Sequence, residues 1–325
     1  MRRRLLMTTT AMGAMAALLP LAARAQSYPS KPIRLVVTFA PGGGADYVGR
    51  SIAQPLSEAL GQTVVVDNRA GANGVVGADI GAKSAPDGYT LLLGAAGTLS
   101  VAPHLGEPLP FDPVRDLEPV TLVATGPFVL TVTKALPVDS VASLIAYAKA
   151  NPGKLNFGSS GKGGAPHLAT ELFASMAGIK MVHVPYRGLG PAVADLISGQ
   201  IQVLFADVPL VAEQAKAGTL RALAISSLTR SSVVPDLPPV AEAGVPGYSA
   251  GTWYGLFLPA RTPKAIVDKI GGAMKTVLAA PALRAAMSKQ GAEAQWMTPD
   301  AFASYVRDDS AKWGKLIKDL GIKVE

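Results

Sequence analysis

The sequence contains no cysteine in its 325 residues. Disulfide bonds and thiolate metal sites are therefore impossible, and no lipid can be attached through a cysteine. Histidine is scarce as well, since only His104, His167 and His183 occur, far apart and without the spacing of a metal-binding motif. We therefore expect neither a metal ion nor a cofactor.

Clusters of basic residues are also missing after the first 25 residues. Without the four arginines of that segment, the formal net charge falls from +7 to +3. This charge is too small to indicate a nucleic-acid partner, and none is expected. A hydrophobic content of 49% with 16% charged residues is typical of a packed protein, and the length allows two domains.

Only one apolar run approaches the length of a membrane span, and it lies at the N-terminus. Arginines at positions 2–4 precede it, it covers residues 5–21, and Ala23-Arg24-Ala25 has the small residues of a cleavage site. This order predicts a leader, residues 1–25, that is cleaved after Ala25 during export by the general secretory or the twin-arginine route. The alternative, a retained membrane anchor, is disfavoured because Pro20 interrupts the run.

The rest of the chain alternates short strand-like runs with helical segments, which favours an α/β architecture with mainly parallel sheets. A β-branched stretch at 120–134 is interrupted by Gly126-Pro127, so we expect it to cross from one lobe to another. Residues 253–258 are expected to carry the chain back. The predicted boundaries are 26–125 plus 250–325 for the first lobe and 126–249 for the second.

The stretch IRLVVTFAPGGGADYVG at 33–49 predicts a strand, a tight turn and a helix. Gly42 and Gly43 let bare backbone approach a ligand, and the helix directs unpaired N–H groups at the turn. A carboxylate or phosphate is the expected ligand, and the alternative is a turn that binds no ligand. Asp46 would repel an anion unless it caps the helix, points away or meets a ligand amine or hydroxyl.

Enzymatic motifs are incomplete. A nucleophile elbow at Ser160 needs glycine at position 162, where Lys162 stands, and a phosphate loop needs serine or threonine after the lysine. A dinucleotide fingerprint starting at Gly42 fails at Tyr47. We therefore expect no catalysis. The open alternative is an exported serine hydrolase that uses Ser160 with His167 and an acidic residue.

Small and polar residues recur in loops of both predicted lobes. Such a distribution favours a clamshell that closes on a small molecule and binds it without chemistry. The candidates are Gly42, Gly43, Asp46, Asn68, Thr98, Ser160, Gly161 and Asp207.

Several segments carry a resemblance that spans the chain after the leader. They include VTFAPGGGADYVGR, VVVDNRAGANGVVGA, PDGYTLLL, LPFDPVRDLEPVTLV, NFGSSGKGGAPHLATELF, VPYRGLGPAVADLISGQIQ and GAEAQWMTPDAFASYV. With them the chain resembles the periplasmic solute-binding receptors of the tripartite tricarboxylate transporter system, often called Bug receptors.

The resemblance implies a two-lobed periplasmic binding protein fold of the type II-like kind, with two crossing strands and a ligand cleft between the lobes. It implies capture of a dicarboxylate, tricarboxylate, aromatic acid or acidic amino acid and its delivery to membrane transporter subunits. We expect a monomer in the periplasm. A receptor that feeds a signalling partner is the alternative to uptake.

The resemblance also implies site residues. The turn of Pro41, Gly42 and Gly43 would hold a ligand carboxylate through ordered water and backbone groups. Asn68, Thr98, Ser160 and Asp207 would face the same cleft. The remaining candidates are the floor residues Phe39 and Tyr186, the carboxylate partner Arg187, the second-lobe loop residues Gly161 and Gly164, and the neighbouring His167. Leu99 is expected to make one wall of the cleft more apolar.

Overall fold

A computed structural model describes residues 28–186, 189–232 and 234–322. The predicted leader and Arg187 lie outside these ranges. Within them the chain forms strands that alternate with helices, as the sequence predicts. The strands are β1 (Ile33–Val37), β2 (Val64–Asn68), β3 (Thr90–Ala95), β4 (Leu117–Gly126), β5 (Phe128–Thr133), β6 (Asn156–Ser159), β7 (Val182–Pro185), β8 (Val203–Asp207), β9 (Leu220–Ile225), β10 (Thr252–Pro259) and β11 (Glu293–Ala294).

Helices cover both faces of the strands. Short helical turns at Ala72–Gly74, Gly97–Val101 and Ala102–His104 supplement them. The α-helices are α1 (Gly44–Leu60), α2 (Val75–Ala82), α3 (Val141–Ala150), α4 (Ala165–Ala177), α5 (Leu189–Ser198), α6 (Val208–Lys216), α7 (Lys264–Ala279), α8 (Pro281–Lys289) and α9 (Pro299–Leu320). None of the helices in the described ranges is long and apolar enough to cross a membrane.

The strands form two sheets, one in each lobe. The first has the order β11-β4-β10-β3-β1-β2 and the second the order β7-β6-β8-β5-β9. Strand β1 runs parallel to β2 and β3, and β6 runs parallel to β7 and β8. The returning strand β10 and the crossing strand β5 pair antiparallel with both of their neighbours. The two-lobed α/β prediction is confirmed, but the sheets are mixed rather than mainly parallel, because the connecting strands enter from the other lobe.

The chain crosses between the sheets at two adjacent points. Strand β4 ends at Gly126 and β5 begins two residues later, while the return passes through Gly251 into β10. Gly251 has φ of +155°, and a Cβ at this position would lie 2.9 Å from the carbonyl oxygen of Gly126. Only glycine allows the two crossing segments to approach this closely.

Helix α9 packs against both lobes. Its N-terminal half places Phe302 in a first-lobe core with Trp253, whereas Trp313 and Leu316 join the core of the second lobe. The indole N–H of Trp253 donates to the buried carboxylate of Asp309 at 2.8 Å. The apolar stripe of this helix is therefore core, as its spacing predicts, but it serves two cores. The prediction assigns residues 250–325 to the first lobe, and α9 departs from it because its C-terminal half packs in the core of the second lobe. The lobe boundaries otherwise stay a prediction.

Candidate functional site

Two of the cavities that residues of both lobes line contain predicted site residues. The Gly42 cavity has a volume of about 730 Å³ and is lined by the 42–44 turn of the first lobe and by Asp207 of the second. The Ser160 cavity, of about 410 Å³, is lined by Asn73 from the first lobe and by residues 160–164 from the second. Seven of the predicted site residues line these cavities: Gly42, Gly43, Asp46 and Asp207 line the first, and Ser160, Gly161 and Gly164 line the second.

The turn between β1 and α1 is held by Asp46. Its carboxylate is buried and accepts a hydrogen bond of 2.9 Å from the N–H of Gly42, whose φ is +87°. Arg50, one helical turn later, donates its Nε–H to the same carboxylate at 2.9 Å. Burial acts to raise the pKa of Asp46, but the hydrogen bonds from Arg50 and Gly42 outweigh it and hold the pKa below its ordinary value.

This geometry gives Asp46 a local role in the turn. The carboxylate bonds to the backbone of the turn, and Arg50 balances its charge. The Gly42 N–H is consumed, whereas the N–H groups of Gly44 and Ala45 belong to the first turn of α1 and have no acceptor within the helix. The turn therefore offers an anion these first-turn amides and the positive end of a 17-residue helix.

Two further candidates, Asn68 and Phe39, are joined by a hydrogen bond next to the turn. The side-chain amide of Asn68, at the end of β2, donates to the carbonyl oxygen of Phe39 at 2.9 Å, and its oxygen accepts from Arg50 at 3.3 Å. Phe39 is half-buried and packs against the core of the first lobe. Pro41 is exposed at the start of the turn. Contact of any of these three residues with a ligand stays a prediction.

Thr98 contacts a residue that lines the Ser160 cavity. It is fully buried, and its hydroxyl donates to the carbonyl oxygen of Asn73 at 2.8 Å. Asn73 has a left-handed φ of +52° and lines the Ser160 cavity. Thr98 thus fixes the backbone of a cavity residue. The neighbouring Leu99 is 2% exposed and packs in a core of the first lobe, so the expectation that it forms an apolar wall of the cleft is wrong.

The loop before α4 uses most of its own donors. The N–H of Gly161 donates to the Ser159 hydroxyl at 3.1 Å, and that of Gly164 donates to the Gly161 carbonyl at 3.2 Å. The N–H of Gly163 donates to His167 Nδ1 at 3.0 Å. Gly161 and Gly163 have φ of +132° and +75°. Ser160 is half-buried, and its hydroxyl, like the side chain of Lys162, belongs to the lining of the Ser160 cavity.

His167 is not positioned as the base that the hydrolase alternative requires. A catalytic histidine must face the serine with one nitrogen and an acidic residue with the other. In His167, Nδ1 accepts from Gly163, and Nε2 lies 3.6 Å from Glu171. His167 is buried, and its ring stacks on that of His183 with centroids 3.9 Å apart. His167 therefore supports the loop and does not activate Ser160.

His183 makes the stability of the second lobe dependent on pH. Burial, followed by the neighbouring His167, lowers its pKa to about 4 from an ordinary value of 6.5. Between these values the unfolded chain binds more protons than the folded one, so stability is complete above about pH 6.5 and falls as the pH approaches 4. We expect the melting temperature to fall over this window, and to fall less steeply in His183→Gln. Equal slopes for the two proteins would contradict this assignment.

Tyr186 is occupied within its own lobe. Its hydroxyl donates to Asp195 at 2.6 Å, and burial followed by this carboxylate raises its pKa to about 12. It packs against apolar residues of the second lobe. A role as the floor of an aromatic ligand stays a prediction, and Arg187 lies outside the described residues.

Among the residues of the Gly42 cavity that sequence reasoning missed are Arg50 and Tyr254. Arg50 stands four residues after Asp46, the spacing of a helical ion pair, so its partner was predictable. Tyr254 lies on the returning strand β10, and its hydroxyl would be 2.6 Å from a Cβ on Gly44. No sequence signal places Tyr254 beside the turn. Within the described ranges, no group of three metal-binding side chains occurs.

Comparison with known proteins gives matches that span most of the chain. Residues 48–322 match the model of the tripartite tricarboxylate transporter family receptor. Protein BugT of Bordetella pertussis strain Tohama I is 39% identical over 302 residues, which cover 93% of each chain.

Two solved structures share the whole fold. R. palustris Rpa4515 with adipate is 36% identical, with a TM-score of 0.78 over 91% of this chain and 99% of that one. MatC (Rpa3494) from Rhodopseudomonas palustris with bound malate is 31% identical, with a TM-score of 0.73 over 89% and 100%. They confirm the resemblance and the two-lobed binding-protein fold. On the extent of these matches, the chain belongs to the tripartite tricarboxylate transporter receptor family.

Proposed function

We propose that the mature protein is a periplasmic receptor that captures a small carboxylate between its lobes and delivers it to the membrane subunits of a tripartite tricarboxylate-type transporter. The observation that carries this proposal is the 42–44 turn, which opens the N-terminus of α1 to a cavity whose opposite wall belongs to the second lobe. Relatives with adipate and malate support a carboxylate as the ligand.

The ligand would be bound without being transformed. Its carboxylate would meet the first-turn amides of α1, directly or through water, and closure of the lobes would bring Ser160 and Asp207 toward it. The protein would be exported, its leader would be cleaved after Ala25, and the mature chain would act as a monomer. Closure would present a surface made by both lobes to the membrane subunits.

The test is the melting temperature of the protein from Gln26 onward, measured with each member of a panel of small molecules. The panel contains aliphatic dicarboxylates, tricarboxylates, aromatic acids, acidic amino acids, sugars and inorganic phosphate. A ligand at 100 times its dissociation constant adds about 2.7 kcal/mol to the free energy of unfolding, which is easily detected. We expect a shift with one class of carboxylates. A response to sugars or phosphate alone would overturn the proposal.

A further inference from the structure

The carboxylate of Asp207 has no partner in the Gly42 cavity. Asp207 ends β8 and occupies the N-cap position of α6, yet its side chain makes no capping hydrogen bond. Among the residues that the structure describes, none donates a hydrogen bond to it, and burial is the only influence on its pKa. A capping role, the usual reason for aspartate at this position, therefore does not account for it.

The described residues that line the cavity carry one uncompensated negative charge. The charged side chains that line it are Asp46, Arg50 and Asp207. Asp46 and Arg50 form an ion pair of 2.9 Å and cancel each other. Among the charged residues that the structure describes, Asp207 is thus left without a counter-charge on the second-lobe wall, opposite the 42–44 turn.

Asp207 is exposed to water in the open cavity. The protein atoms packed near its carboxylate nevertheless raise the pKa of Asp207 above its ordinary value by desolvation. The same carboxylate adds to the burial that raises the pKa of Tyr254, which lines the cavity beside the turn. Closure of the lobes on a ligand would remove more water, and an ionised carboxylate without a partner opposes such a step.

We propose that Asp207 selects ligands that carry a protonated amine together with a carboxylate, an inference that rests on the proposed carboxylate-binding function. The ligand carboxylate binds at the amides of α1, and its ammonium group binds Asp207 across the cavity. A plain dicarboxylate would bring a second negative charge toward Asp207, whereas an amino acid supplies the missing counter-charge and stabilises the closed form.

The experiment compares acids that share a carbon skeleton and differ by one amino group. The pairs are succinate and aspartate, glutarate and glutamate, adipate and 2-aminoadipate, and 3-phenylpropionate and phenylalanine. Dissociation constants are measured by calorimetry on the mature protein at neutral pH. In the pair that fits the cavity, we expect the aminated acid to bind at least about tenfold more tightly, equivalent to about 1.4 kcal/mol.

Asp207→Asn keeps the shape of the side chain and removes its charge, so it should abolish this preference. Glu213→Gln is the matched control, because it removes the same charge from an exposed position on α6, where the side chain is 77% exposed. That variant should keep the preference.

The outcomes separate the inference from the function on which it rests. Plain acids that bind as tightly as their aminated partners, or a preference that survives Asp207→Asn, would overturn the inference and leave carboxylate binding intact. No binding by any acid of either series would overturn both.

Discussion

Replacement of Gly255 by alanine is expected to destabilise the first lobe by about 1–3 kcal/mol or more, the range for overpacking a filled core. Gly255 lies in the central strand β10, opposite Gly94 on one side and Leu122 on the other. A Cβ at this position would be 2.8 and 3.0 Å from Cε1 and Cε2 of Phe302, and closer still to its Cζ.

Phe302 has no free space into which it can move. Its ring is fully buried and packs against Trp253 and Phe257, with centroid distances of 5.7 and 5.1 Å. A shift of this ring would also pull on α9, which packs on both lobes. The measurement is the midpoint of thermal unfolding of the mature protein, without ligand.

Two further variants make the test specific to the clash. Gly272→Ala, at an exposed position in α7 with open space around it, should stabilise by about 0.5–1 kcal/mol, because glycine is unfavourable inside a helix. Phe302→Leu added to Gly255→Ala should cost less than the sum of the single changes. If Gly255→Ala melts like the unchanged protein, the packing of Phe302 on β10 is wrong.

Replacement of Asp46 by alanine is expected to weaken ligand binding by about tenfold or more, although it removes a negative charge from beside an anion site. The loss of this acceptor leaves the Gly42 N–H without its partner and frees Arg50. Gly42 is exposed, so water can reach its freed N–H, and the cost lies in the order of the turn. Hydrogen bonds to a charged group contribute about 1.5–3 kcal/mol each, and Asp46→Ala removes those from Gly42 and Arg50. The measurement is the dissociation constant of the acid that gives the largest shift in melting temperature.

Charge and geometry make opposite predictions for this variant. If Asp46 acted mainly by repelling the ligand, its removal would tighten binding, and that result would contradict our assignment. Asp46→Asn keeps an oxygen that can accept from Gly42, so it should lose less affinity than Asp46→Ala. Glu58→Ala removes a carboxylate near the other end of α1, where Glu58 accepts from Gln54 on the exposed surface, and should leave the affinity unchanged.

Much of the fold was predictable because its signals are local. Four of the five residues at 33–37 are apolar, three of them β-branched, and the segment forms a fully paired strand, while the glycines after it allow the turn into α1. The break at Gly126-Pro127 marked the crossing between sheets for the same reason. The family resemblance, confirmed by the comparisons, rested on such segments in order.

Side-chain roles were harder to predict, because they depend on partners that are distant in the sequence. Asn68 and Thr98 carry donors that suit a ligand, but the structure directs both to backbone carbonyls, at Phe39 and Asn73. His167 could serve a nucleophile in the sequence, yet the fold stacks it on a histidine from the next strand.

The sequence by itself thus determined the strand–turn–helix units, the crossing points and the family, since periodicity, glycine conformation and motif order act over a few neighbouring residues. Tertiary structure alone decided which charge lacks a partner. Asp46 pairs with Arg50 on its own helix, whereas Asp207 faces the first lobe across the cleft, where none of the described residues neutralises it. The physical reason is that the desolvation and pairing of a carboxylate depend on everything packed around it, and two lobes supply those surroundings only after they come together.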